Sequence, residues 1–166
     1  MKKLKGENIM AIDIQKGKHI ESFPTLISAM MGTYKRVYNI VLTANTDNGV
    51  LAGRGDYVSF DNYEQAAVTA NAVTVKIREL GADGKWIVEV ADLPATEVLY
   101  LYNSPVSEYE KRDLQDESLF YNKLGDVVQG APLLIGDLFS LSDIAFTGPP
   151  AAGKTTKFNA GKYVVQ

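Results

Sequence analysis

Val73-Thr74-Val75-Lys76-Ile77-Arg78, Gly81-Ala82-Asp83-Gly84 and Trp86-Ile87-Val88-Glu89-Val90 follow one another along the chain, and their reading decides the fold class. In the first, apolar and polar residues alternate, so Val73, Val75 and Ile77 fall on one face of an extended strand. The second supplies a glycine-rich turn, and the third returns as a partner strand. Together they form the strongest β-hairpin signal in the sequence.

The β character extends outward in both directions. Upstream, Arg36-Val37-Tyr38-Asn39-Ile40-Val41-Leu42-Thr43 is rich in β-branched and aromatic residues, and Asp47-Asn48-Gly49 supplies a turn. Val50-Leu51-Ala52 and Tyr57-Val58-Ser59-Phe60 read as two short strands separated by Gly53-Arg54-Gly55-Asp56. Downstream, Val98-Leu99-Tyr100-Leu101-Tyr102 reads as a strand closed by Asn103-Ser104-Pro105. Residues 108–123 are charged, with irregularly spaced apolar positions, and read as one long loop. Short strands resume at Val127-Val128, Leu133-Leu134-Ile135 and Asp137-Leu138-Phe139-Ser140-Leu141. A final strand, Lys162-Tyr163-Val164-Val165, comes after the turn Asn159-Ala160-Gly161.

Many short strands with frequent turn signals predict an all-β, mainly antiparallel fold, either a small sandwich or a barrel. Residues 1–33 lack sustained periodicity and read as an extended N-terminal arm. Residues 34–147 read as the β domain, and 148–166 as a Gly/Pro/Ala-rich loop with a closing β segment of the same domain. Gly55-Asp56-Tyr57-Val58-Ser59-Phe60 is echoed by Gly136-Asp137-Leu138-Phe139-Ser140-Leu141, which reads as the same turn chemistry feeding two strands.

With 166 residues, the chain can bury a core without metals or disulfides. Cysteine is absent, which excludes disulfides, thiolate metal sites and cysteine nucleophiles and fits a reducing cytoplasm. No apolar run is long enough to span a bilayer, and no apolar segment comes after the basic N-terminus, so neither a membrane partner nor a signal peptide is expected. The formal net charge of −3 does not point to nucleic acid. Its distribution is uneven: residues 1–40 carry seven Lys/Arg against Glu7, Asp13 and Glu21, and the remainder is acidic. Such a basic arm suits either an acidic neighbouring surface or plain solvation. Within it, Pro24 and the apolar strip Thr25-Leu26-Ile27-Ser28-Ala29-Met30-Met31 form a short helical turn or an extended strip, which packs on the chain's own core or on a partner.

Gly148-Pro149-Pro150-Ala151-Ala152-Gly153-Lys154-Thr155 matches the phosphate-binding pattern G-x-x-x-x-G-K-[ST] in full. That loop works only between a strand and a helix whose N-terminal N–H groups cradle the phosphates. Ile144-Ala145-Phe146 offers a strand before it, but the residues after Lys154 do not read as an amphipathic helix. Two adjacent prolines also remove two of the N–H donors the loop requires. The expectation is a small-residue linker with no cofactor. Arg54-Gly55-Asp56 reads as a glycine-containing turn between strands. His19, the single histidine, reads as solvated and supports neither a metal site nor a Ser-His-Asp triad. The cluster Glu108, Glu110, Asp113, Asp116 and Glu117 is interleaved with Lys111 and Arg112 and reads as a solvated loop. No catalytic, cofactor-binding or metal-binding constellation emerges, and a non-enzymatic protein is expected.

Three stretches together resemble the small auxiliary, or decoration, proteins that coat and cement the heads of tailed bacteriophages. They are YKRVYNIVLTANTDNGVLAGRGDYVSF (residues 34–60), VLYLYNSPVSEYEKRDLQDESLFYNKLGDV (98–127), and residues 130–166, where GAPLLIGDLFSLSDIAFTG leads into AAGKTTKFNAGKYVVQ. The likeness is carried by the order and spacing of these elements and leaves the N-terminal arm outside it. In such proteins a Gly-Asp-x-Phe-Ser strand is followed by a small-residue loop and a closing hairpin, which gives Gly153-Lys154-Thr155 a structural role. The resemblance implies a virion protein, made in a bacterial host's cytoplasm, that binds and stabilises the capsid lattice. Its partners would be the major capsid protein and, in addition, other copies of itself or other head proteins. Lys2, Lys3, Lys5, Leu26, Ile27, Met30 and Met31 are then the candidate capsid contacts. The alternative is a virion surface adhesion or carbohydrate-binding module that uses the loops around Arg54 or residues 108–123.

Overall fold

The computed structural model describes residues 19–26, 37–57, 63–67, 72–103 and 120–166, and these are nearly all β. The strands in chain order are β1 (Ser22–Leu26), β2 (Tyr38–Val41), β3 (Leu51–Tyr57), β4 (Tyr63–Ala67), β5 (Thr74–Leu80) and β6 (Trp86–Asp92). They continue with β7 (Leu99–Tyr102), β8 (Val127–Pro132), β9 (Leu138–Leu141), β10 (Phe146–Thr147), β11 (Thr155–Asn159) and β12 (Lys162–Val165). A 3-10 turn, Asp143–Ala145, precedes β10.

The strands form two units. A seven-stranded sheet runs β1-β9-β6-β5-β11-β12-β10, and a five-stranded barrel closes in the order β2-β4-β3-β7-β8. Among the described strands, pairing is antiparallel except at β2–β4 and β10–β12. The all-β, mainly antiparallel expectation is met, and the choice between barrel and sandwich dissolves: a barrel wall packs on an open sheet.

β7 is that wall. All four of its residues are buried, and alternation sends them two ways. Leu99 and Leu101 join Ile40, Leu42, Ala52 and Val128 inside the barrel. Tyr100 and Tyr102 join the larger core between barrel and sheet, which includes Val75, Ile77, Val88, Phe139, Phe158 and Tyr163. Each large side chain buried in this way contributes about 1.5–3 kcal/mol. Gly130 of β8 keeps the barrel narrow: a Cβ there would stand 2.8 Å from Ile40 Cγ1 and 3.1 Å from Leu99 Cδ1.

The β5–β6 hairpin forms as expected, with Val75 opposite Val90 and Ile77 opposite Val88. The closing hairpin β11–β12 also forms, pairing Asn159 with Lys162 across a two-residue loop. Ala160 and Gly161 in that loop both take positive φ (49° and 82°), the mirror-image turn that matches strand twist.

Four readings need correction. Gly53-Arg54-Gly55-Asp56 is not a turn between two strands but lies inside the continuous strand β3. The pairing steps from Arg54↔Ala66 to Tyr57↔Glu64, so one extra residue is absorbed as a β-bulge. The echo between residues 55–60 and 136–141 therefore does not reflect shared turn chemistry. Leu133-Leu134-Ile135 is not a strand: β8 ends at Pro132, and Asp137 Oδ2 accepts the Leu134 N–H at 2.8 Å to build a turn with Gly136 at φ 97°. Ile144-Ala145 belongs to the 3-10 turn rather than a strand. Within residues 1–33, read as an extended arm, residues 22–26 are extended and pair with β9 at the sheet edge. Pro24 and Ser22 hid this pairing from a periodicity reading.

Candidate functional site

Residues 148–154 form the linker between β10 and β11, and the loop docks sideways on β5. The Gly153 N–H donates to the Ile77 carbonyl (2.8 Å), the Ile77 N–H donates to the Lys154 carbonyl (2.8 Å), and the Lys154 N–H donates to the Ala151 carbonyl (3.1 Å). Two N–H groups that a phosphate loop would aim at its ligand are thus committed to the protein's own backbone. Lys154 leads into strand β11, not into the helix whose N-terminus a phosphate loop requires.

Arg54 is exposed, with 43% of its side chain accessible, yet it has partners. Its guanidinium lies 4.7 Å from the Tyr38 ring centroid, and Nη1 is 3.9 Å from Glu97 Oε1. Both contacts are made from its position within β3.

His19 departs from its expected solvated state. The imidazole Nδ1 sits 2.7 Å from Asp47 Oδ1, and its ring stacks on Tyr121 with centroids 4.7 Å apart. Asp47 Oδ2 accepts the Ile20 N–H at 3.2 Å. This arrangement fastens the start of the described chain to the turn between β2 and β3, 28 residues away.

Next to it lies a buried amide cluster. Asn48 donates through Nδ2 to the Asn103 carbonyl (2.8 Å), while its Oδ1 accepts from the Asn103 N–H (3.0 Å) and from Asn122 Nδ2 (2.9 Å). Asn48 thus ties Asn103 to Asn122, on either side of residues 104–119 in the sequence. Ser22 makes a parallel tie. Its hydroxyl donates to the Ser140 carbonyl and accepts from the Tyr100 hydroxyl, both at 2.7 Å. Burial pushes the phenols of Tyr100 and Tyr163 well above the usual tyrosine range.

Among the described residues, no group of three or more His, Asp and Glu side chains converges to hold a metal ion, and no helix is long and apolar enough to cross a membrane. Lys2, Lys3, Lys5, Ile27, Met30 and Met31 lie outside the described residues, as does the acidic cluster within 108–117. Leu26 is the last residue of β1, placed opposite Leu138. Sequence reasoning did not single out two exposed apolar residues near that strand. Phe23 on β1 is 57% exposed, and Ile135, on the turn leading into β9, is 66% exposed.

No protein-family model matches the chain, and no curated protein or solved structure matches it at a significant level.

Proposed function

We propose that this chain is a structural virion protein that binds and stabilises a phage capsid lattice. The observation that supports this best is Phe23, a large apolar side chain left 57% exposed on the edge strand β1. That strand ends at Leu26, the first of the candidate contacts Leu26, Ile27, Met30 and Met31. An exposed apolar residue on a sheet edge is suited to burial against a partner. The basic residues Lys2, Lys3 and Lys5 add an electrostatic contact for an acidic shell. Function on this reading is passive: weak contacts repeated over a lattice gain strength from multiplicity. The major capsid protein is the partner, with other copies of the chain or other head proteins as neighbours.

A virion adhesion or carbohydrate-binding role built on Arg54 has less support, because that side chain is already seated on Tyr38 and Glu97. Mixing the purified protein with capsid shells that lack it, then sedimenting the shells, tests the proposal. Saturable co-sedimentation is expected; protein that stays in the supernatant at every concentration overturns it. A glycan array tests the alternative.

A further inference from the structure

Asn48 and Gly49 form the only Asn-Gly pair in the sequence, and that pair is chemically labile. The backbone nitrogen after an asparagine can attack the side-chain carbonyl carbon. Glycine resists this least, because it has no Cβ and the widest range of backbone angles. The attack forms a bond between Gly49 N and Asn48 Cγ and breaks the bond from Cγ to Nδ2. The amide proton of Gly49 leaves with Nδ2 as ammonia, and a five-membered succinimide remains. Water then opens the ring at either carbonyl. One opening gives aspartate; the other gives isoaspartate, whose main chain runs through Cγ. Nothing is oxidised or reduced, and water is the only co-reactant.

In the fold both reacting groups are committed. The Gly49 N–H donates to the Leu101 carbonyl at 2.9 Å. Asn48 is 3% exposed, with Nδ2 donating to the Asn103 carbonyl and Oδ1 accepting from the Asn103 N–H and Asn122 Nδ2. Because the reaction expels Nδ2 and takes the proton from Gly49 N, the bonds to Asn103 and Leu101 must break first. Those restraints come from far along the chain: Asn103 and Asn122 stand 55 and 74 residues after Asn48. An unfolded chain leaves the pair open. The products, moreover, do not fit the native place. A carboxylate at position 48 keeps the acceptor roles but cannot donate to the Asn103 carbonyl, and it buries a negative charge. Isoaspartate also lengthens the main chain beside Gly49, where an added Cβ would already stand 2.7 Å from Ser22 Cβ. We infer that Asn48-Gly49 is a deamidation site that the fold keeps silent. A chain that stays unfolded is converted there and loses its route back to the native state.

The purified protein is incubated at mildly alkaline pH, with and without a denaturing concentration of guanidinium chloride. Mass spectrometry of the peptide spanning Asn48 follows loss of the amide. The unfolded chain is expected to convert here before any other asparagine. The folded protein is expected to convert more slowly by about 100-fold or more, because the reaction waits on opening of these bonds. Equal rates in the two states overturn the protection, and faster conversion at another asparagine in denaturant overturns the choice of site. The denaturant is then diluted, and the folded fraction is isolated by size exclusion. That fraction is expected to retain the amide and to exclude converted chains. Asn48→Asp, made directly, is expected to unfold at a lower temperature than wild type or to fail to fold. A wild-type midpoint for that variant, or converted chains recovered in the folded fraction in proportion to their amount, overturns the one-way consequence.

Discussion

The hydroxyl of Tyr163 donates a 2.6 Å hydrogen bond to the carbonyl of Gly49, 114 residues earlier in the chain. The donor belongs to the closing hairpin and the acceptor to the turn between barrel strands β2 and β3, so one buried bond joins sheet to barrel. Tyr163→Phe keeps the ring and leaves the Gly49 carbonyl without its partner. A loss of about 1–3 kcal/mol is expected in urea unfolding, the range for a buried polar group left unsatisfied.

Gly49 is constrained twice over. Its φ is +83°, and a Cβ there would stand 2.7 Å from both Cβ and Oγ of Ser22. Gly49→Ala is therefore expected to destabilise the fold by about 3 kcal/mol, combining backbone strain with overpacking. Gly84→Ala is the matched control, because its φ is +81° with nothing within 4 Å. It should show the strain loss alone, and equal losses in the two variants would refute the steric account.

Alkaline pH should unfold the protein through Tyr100 and Tyr163, whose phenols burial holds protonated. In the unfolded chain a tyrosine ionises near pH 10, about its ordinary value. Above that pH the folded state binds more protons than the unfolded state, so stability is fully present below about pH 10 and falls as pH rises. Tyrosinate absorbance and circular dichroism should then change together. Full titration of all nine tyrosines before any loss of circular dichroism would contradict this.

The turn between β11 and β12 uses Ala160 at φ 49°, a conformation that asparagine adopts more readily. Ala160→Asn should stabilise the protein by about 0.5–1 kcal/mol, a size typical of relieved backbone mismatch. Differential scanning calorimetry would register it as a higher midpoint.

Lys154→Ala should leave Mg-ATP affinity unchanged from wild type, because the Gly153 and Lys154 N–H groups are already bonded within the protein. Isothermal titration calorimetry of both proteins is the check. A nucleotide signal present in wild type and lost in the variant would restore the phosphate-loop reading.

The sequence exposed the fold where one face of a strand is buried and the other is not. Val75, Ile77, Val88 and Val90 alternate with polar neighbours, and the β5–β6 hairpin could be read directly. β4 could not. Its residues, YEQAA, favour helix, and they are held extended because β2 and β3 flank them on both sides. β11 was hidden in a lysine-rich tail, where Thr156 and Phe158 alone mark its buried side. Neighbours across strands were invisible for a different reason. Lys76 and Lys157 are neighbours only through the β5–β11 pairing, and no local pattern announces a pairing across that distance. The same holds for His19 and Asp47, and for the Asn48 cluster.

The interleaving of the two units has a kinetic consequence. The barrel takes β2, β3, β4, β7 and β8, while the sheet takes the remaining strands from both ends of the chain. Ser22 meets Ser140 across 118 residues, and Phe158 pairs its backbone with Val73. The barrel has all its strands once β8 is made, whereas the sheet waits for β9 to β12. Such high contact order favours slow folding in which the nascent chain holds β1 without its partner until β9 has emerged. During that interval the unpaired backbone of β1, with Phe23 exposed on it, is the segment most in need of protection from premature association.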